Sequence, residues 1–112
     1  MRVLVCGGRD YEDRAAVFAV MDGLRDEVDA VITGGASGAD NLAHIWACRN
    51  DAKPEQYMAE WDRHGRAAGP IRNQRMIDEG KPDLVIAFPG GRGTADMVRR
   101  AKAAGIPVRE IA

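Results

Sequence analysis

The chain is poor in several things at once, and each shortage excludes a class of function. Seventeen acidic residues stand against 16 basic ones, for a net charge of −1. That balance is not the footprint of a protein that coats DNA or an anionic membrane. Only two cysteines occur, Cys6 and Cys48, with no CxxC or CxxxxH spacing. A zinc site and a disulfide framework are therefore not expected, and a reduced, cytoplasmic compartment is the default. No apolar run approaches the length of a membrane span, and no basic segment followed by an apolar stretch opens the chain. GxxxxGK[ST] is missing, and so is a GxGxxG opening the first unit. An ordinary P-loop and an ordinary dinucleotide fingerprint are excluded by spacing.

What is present is a regular alternation. The 112 residues suit one domain over 1–112, with 46% hydrophobic and 29% charged residues. "RVLVC" at 2–6, "DAVIT" at 29–33 and "PDLVIAF" at 82–88 read as buried strands. "EQYMA" at 55–59 and "PVREI" at 107–111 read as weaker ones. Helical spacing covers 12–26, 38–50, 70–80 and 94–104. Pro70 suits a helix start, and Gly80 and Gly105 suit helix ends. A short helical turn before Pro70 also fits. The order βαβαβαβαβ predicts a three-layer, Rossmann-like, doubly wound α/β fold around a mainly parallel five-stranded sheet. Trp46 and the methionines Met58, Met76 and Met97 read as core filling. His44 and His64 have no ligand partner at metal spacing and read as structural.

Thirteen glycines occur, and their placement is the main functional signal. Three strands end in glycine-rich turns: Gly7-Gly8-Arg9-Asp10, Gly34-Gly35-Ala36-Ser37-Gly38-Ala39-Asp40, and Pro89-Gly90-Gly91-Arg92-Gly93-Thr94. Ligands of open α/β sheets bind outside the carboxyl ends of the strands. Glycine lets backbone N–H groups approach an anion closely, and each turn feeds a helix N-terminus, where anions are favoured. All but three of the 16 basic residues are arginine. Arg9 and Arg92 lie inside the turns, and Arg72 and Asn73 fall in the first turn of the helix opened by Pro70. Arginine matches phosphate geometry with two parallel donors. Asp10 and Asp40 would either cap helix starts or accept ribose hydroxyls. Thr94 would cap its helix, and Trp61 would either stack on a base or close the core.

"CGGRDYED", "TGGASGADNLAHIWA", "AEWDRHGRAAGPIRNQRM" and "PDLVIAFPGGRGTADMVRRAKAAGIPV" together resemble the SLOG superfamily, which includes the Lonely Guy and DprA proteins. The similarity is greatest to its small YspA-like branch, related to the YpsA proteins, and covers the whole chain. It implies a Rossmannoid domain that binds nucleotides or their derivatives at the glycine turns. For the Lonely Guy branch it implies a phosphoribohydrolase whose fourth motif reads PGGxGTxxE. Here the glutamate position holds Met97. Asp96 is one residue away, a rotation of about 100° along a helix, so its carboxylate is expected to face elsewhere. Arg72 is the counterpart of the arginine that works with that glutamate. For DprA the resemblance implies single-strand DNA binding. This chain lacks the interleaved basic and aromatic surface such binding uses.

The expected ligand is therefore a small nucleotide or nucleotide derivative, held by a sensor or carrier domain and not by a nucleic-acid or membrane binder. The family setting suggests a homodimer. Magnesium could bridge phosphate and carboxylate, although no residue here requires a metal. An enzyme cutting an N-glycosidic bond would need a general acid or base, for which Asp10, Asp40 and Asp96 are the candidates. A protein-interaction module without ligand is the third reading.

Overall fold

The computed structural model describes all of residues 1–112. Five strands, β1 (Arg2–Cys6), β2 (Ala30–Thr33), β3 (Lys53–Gln56), β4 (Leu84–Ala87) and β5 (Val108–Glu110), form one sheet in the order β3-β2-β1-β4-β5. All four pairings are parallel. The helices are α1 (Arg14–Asp22), α2 (Ala39–Arg49), α3 (Trp61–His64), α4 (Ala68–Asp78) and α5 (Arg92–Ala103). Because β2 follows β1 on one side and β4 returns to its other side, the strand order reverses at β1. The crevice beyond the carboxyl ends of β1 and β4 is the switch point where such sheets bind ligands.

The two-residue period of β1 divides the core. Val3 and Val5 pack with Val17 and Met21 of α1 and with Ala43 and Trp46 of α2. Leu4 and Cys6 face the opposite layer, with Met76 and Ile77 of α4 and Met97 and Ala101 of α5. Burying both faces is what makes these strands uninterrupted apolar runs. Trp46 is fully buried, and its indole Nε1 donates to Asp22 Oδ1 at 2.9 Å. No helix is long and apolar enough to cross a membrane.

Several boundaries differ from the expectations, each for a local reason. The third strand is 53–56, not 55–59, and contains Pro54. It is an edge strand, where proline is tolerated. Lys53 and Tyr57 donate their N–H groups to Asp29 and Thr33 on the β2 side, so alternate residues, including Pro54, turn their nitrogen outward. The first helix is shorter than 12–26 because Gly23 ends it and a 3₁₀ turn at Arg25–Glu27 follows. Its cap is Asp13, whose Oδ1 accepts from Ala16 N at 3.0 Å, and not Asp10. The fourth helix starts at Ala68, leaving Pro70 within the first turn, where a missing N–H costs no intrahelical bond. The last helix starts at Arg92 after Gly91, so Thr94 is its third residue and not its cap. Met58 is 59% exposed and Trp61 48% exposed, so neither fills the core.

Gly38 shows how tightly the turns are set. It caps α2 with φ +75° and ψ −131°, a conformation that side chains rarely adopt. A Cβ there would also collide with the carbonyl oxygens of Gly8 and Arg9. Gly105 has nearly the same φ, +76°, with nothing within 4 Å. Gly105→Ala should therefore cost only the left-handed penalty of about 1–2 kcal/mol. Gly38→Ala should cost clearly more, because backbone must move as well. Urea unfolding of the two variants checks the ranking, and equal losses would contradict it.

Candidate functional site

Two backbone hydrogen bonds draw the glycine turns together, and a third closes the first turn on itself. Gly8 N donates to Pro89 O at 2.9 Å, and Gly8 O accepts from Ala39 N at 3.3 Å and Tyr11 N at 3.2 Å. Ser37 Oγ adds a bond to Arg9 O at 3.1 Å. The first turn is thereby stitched to the second and to the third. Gly90 must be glycine for the same closeness, since a Cβ would meet the Thr94 hydroxyl and lie 2.7 Å from Gly8 N.

A cavity of about 520 Å³ opens at this edge. Its lining includes Gly7, Gly8, Arg9, Gly34, Ala36, Asp40, Arg72, Asn73, Gly91, Arg92, Gly93 and Thr94 among the residues singled out by sequence. Gly35 and Ser37 line an adjoining cavity of about 170 Å³, which shares Arg9, Gly34, Ala36, Trp61 and Arg72 with the first. Asp10, Gly38, Pro89 and Gly90 line neither. Gly38, Pro89 and Gly90 hold the turns in place, and Asp10 is exposed. The sequence reading missed Arg66, which lines the larger cavity with Gly69 and Pro70. Its signal was position: it lies just ahead of the proline-marked helix start, whose first turn already carried Arg72. Val5, Cys6, Met76 and Met97 supply apolar lining. Burial pushes the Cys6 thiol up to about 12, which leaves it unreactive.

The two buried aspartates are both engaged by the protein. Asp40 Oδ2 accepts from Gly34 N at 3.0 Å and Ala36 N at 3.3 Å. It neither caps α2 nor presents this oxygen to a ligand; it organises the turn before the helix. Those N–H groups are consequently unavailable to an anion. Burial raises its carboxyl to about 6, against the opposing pull of the Ala36 and Gly34 N–H groups and the charges of Arg72 and Arg9. Asp96, expected to face away, lines the cavity beside Met97. The wall follows the first turns of α5 closely enough to touch both. Asn73 Nδ2 donates to Asp96 Oδ2 at 3.0 Å, as does Arg100 Nε at 2.8 Å, while Arg99 Nη2 donates to Oδ1 at 2.6 Å. Burial alone would raise this carboxyl, but the bonds from Arg100 and Asn73 and the charges of Arg100 and Arg99 hold it below the usual range. It is an ionised tie between α4 and α5.

The cations are arranged differently from one another. Arg72 is half-buried, donating from Nη1 to Gly34 O at 2.7 Å and from Nε to Asn73 Oδ1 at 3.0 Å. Burial lowers its pKa, with Asp40 opposing and Arg9 adding to the shift, yet a guanidinium stays cationic. Arg9 and Arg92 are exposed, and the Arg9 guanidinium lies 5.5 Å from the Trp61 ring centroid. The first turn of α5, Arg92 to Thr94, leaves N–H groups without intrahelical acceptors at the mouth. The surroundings of Gly91 and Gly93 are open, with nothing within 4 Å of a Cβ at either. No group of three or more His, Cys, Asp or Glu side chains is placed to hold a metal ion.

The model of the YspA, cpYpsA-related SLOG family matches residues 1–64, more than half of the chain. The chain belongs to this family. The Gene 61 protein of Mycobacterium phage D29 is 42% identical over 120 aligned residues, covering 96% of this chain and 93% of the phage protein. Among solved structures, DNA processing protein A (DprA) from Streptococcus pneumoniae superposes with a TM-score of 0.81 at 23% identity. It covers 99% of this chain, which spans half of that DprA chain. TM1055 superposes at 0.73 with 18% identity, over 96% of this chain and 72% of TM1055. At these identities the two structures establish the Rossmannoid fold that the family shares.

Asp40 carries a pH prediction. Its carboxyl titrates near 3.8 in the unfolded chain and at about 6 in the folded one. The folded state holds this proton more tightly, so the contribution to stability is full below pH 4 and is lost as pH rises through 6. Asp40→Asn keeps an oxygen acceptor without the charge. Its stability relative to the wild type should therefore be highest at pH 7 and fall toward pH 5. Urea unfolding of both proteins at the two pH values measures this, and a difference independent of pH would refute it.

Proposed function

We propose that the domain binds a nucleotide or nucleotide-derived phosphate ligand at the switch-point cavity and serves as a sensor or carrier. The carrying observation is the convergence of Arg9, Arg66, Arg72 and Arg92 on one cavity whose mouth includes the N-terminal turn of α5. Unpaired N–H groups, a positive helix end and exposed guanidinium groups suit a phosphate. The second glycine turn is occupied by Asp40, so phosphate falls to the third turn, Gly91 to Thr94, with Arg92 beside it. The apolar lining from Val5, Met76 and Met97 suits the non-phosphate part of the ligand, and a cavity of about 520 Å³ lies in the range of small-molecule sites. The phage-encoded relative fits a domain that reads a nucleotide signal in conflict between phage and host.

A thermal-shift screen against nucleoside monophosphates, other nucleotides, NAD and ADP-ribose, with mass spectrometry of each hit, tests this. A ligand at a hundred times its Kd stabilises by about 2.7 kcal/mol, roughly 10 °C for a domain of this size. A shift with intact ligand is the expected result. Release of free base would replace it with the phosphoribohydrolase reading, and no shift across the panel would leave the protein-interaction reading. Arg92→Ala should weaken binding by about tenfold or more, the value of a charge-assisted hydrogen bond, without lowering the Tm of the free protein. Gly91→Val should abolish binding with the fold intact, because its side chain enters open space at the mouth. Unchanged affinity in either variant would refute the phosphate assignment.

A further inference from the structure

From the junction of the two cavities we infer a separate subsite for a planar nucleobase, built on Trp61 with Met58 and Arg9. This rests on the nucleotide reading above and adds where the base lies. Trp61, 48% exposed, and Met58, 59% exposed, both present apolar surface to the smaller cavity. Trp61 borders both cavities, as do Arg9, Gly34, Ala36 and Arg72, so it stands at their junction. A Cβ on Gly69, at the start of α4, would sit 3.5 Å from its Cη2, so the tip of the ring lies next to that position. Arg9 approaches it at 5.5 Å from the centroid.

Met58 forms the neighbouring wall of the smaller cavity. Its thioether rests against Gly35, which has φ +71° and no Cβ to push it away. The smaller cavity, about 170 Å³, has the size of one small ring system. Indole, thioether and guanidinium are polarisable or flat partners for a π-face, and stacking of this kind tolerates any base. The phosphate donors at the start of α5, Gly91 to Thr94, line the larger cavity and not the smaller one. A ligand spanning the two places has its base at Trp61 and its phosphate at Arg92.

The test compares nucleoside 5′-monophosphates carrying each of the four bases with ribose 5-phosphate, by calorimetry and by tryptophan fluorescence. Trp46 is fully buried, so quenching on binding reports on Trp61. The expected result is quenching by the nucleotides and none by ribose 5-phosphate. Trp61→Leu should weaken the nucleotides by about tenfold or more while ribose 5-phosphate affinity stays the same, and Trp61→Phe should restore most of the loss. Equal loss for both ligands, or no loss, would overturn the base subsite. Wild-type protein that binds ribose 5-phosphate as tightly as the nucleotides would overturn it as well, while leaving the phosphate site standing. Failure of every phosphate compound to bind would remove the nucleotide reading and the subsite together.

Discussion

The site depends on one peptide unit, at Gly8. Its N–H donates to Pro89 O, and its carbonyl accepts from Ala39 at the head of α2. Only a residue at the end of the middle strand can reach both neighbours, because β1 lies between β2 and β4. The glycine spacing follows from that geometry. Gly38 leaves room for the Gly8 carbonyl, and Gly90 leaves room for the Gly8 N–H and the Thr94 hydroxyl. Several of these glycines therefore allow backbone to meet backbone, and do not themselves meet a ligand. Gly91 and Gly93 differ, with open space where their side chains would be. They border the cavity at the start of α5.

The buried charges reinforce the same division. Asp40 satisfies the N–H groups of the second turn from within, and Arg72 holds that turn's Gly34 carbonyl from the opposite layer. Asp96 and Asn73 bind α5 to α4, with Asn73 also reaching Gly93 O at 3.2 Å. The turns are thus fixed before any ligand arrives, which is the preorganisation that lowers the cost of binding. What remains uncommitted at the mouth is the α5 N-terminus, the exposed Arg9 and Arg92, and the Trp61 ring. These groups are the ones on which the proposed ligand rests.

The topology was readable because each buried strand is a short apolar run and each helix has its own period and punctuation. The third strand was misplaced because an edge strand needs neither property, and Lys53–Gln56 has only one pairing partner to satisfy. The cation cluster was partly legible, since Arg9, Arg72 and Arg92 stand beside turn or helix-start signals. Arg66 was not singled out, because it belongs to a short 3₁₀ turn with weak periodicity between α3 and α4. Met58 read as core and Trp61 as either core or a stacking surface, and both are exposed.

By itself, the sequence determined the alternation of strands and helices, hence the parallel sheet, and the placing of three glycine turns on one edge. Both are local consequences of periodicity and backbone freedom, and they carry the family membership with them. Tertiary structure decided which turn groups are used internally. Whether an N–H of Gly34 meets a ligand or Asp40, and whether Asp96 faces solvent or Asn73, depends on distances between elements that no local pattern encodes. It also decided that the indole of Trp61 stands at the junction of two cavities, near Gly69 of α4 and near Arg9 of the first glycine turn, which is distant from both in sequence.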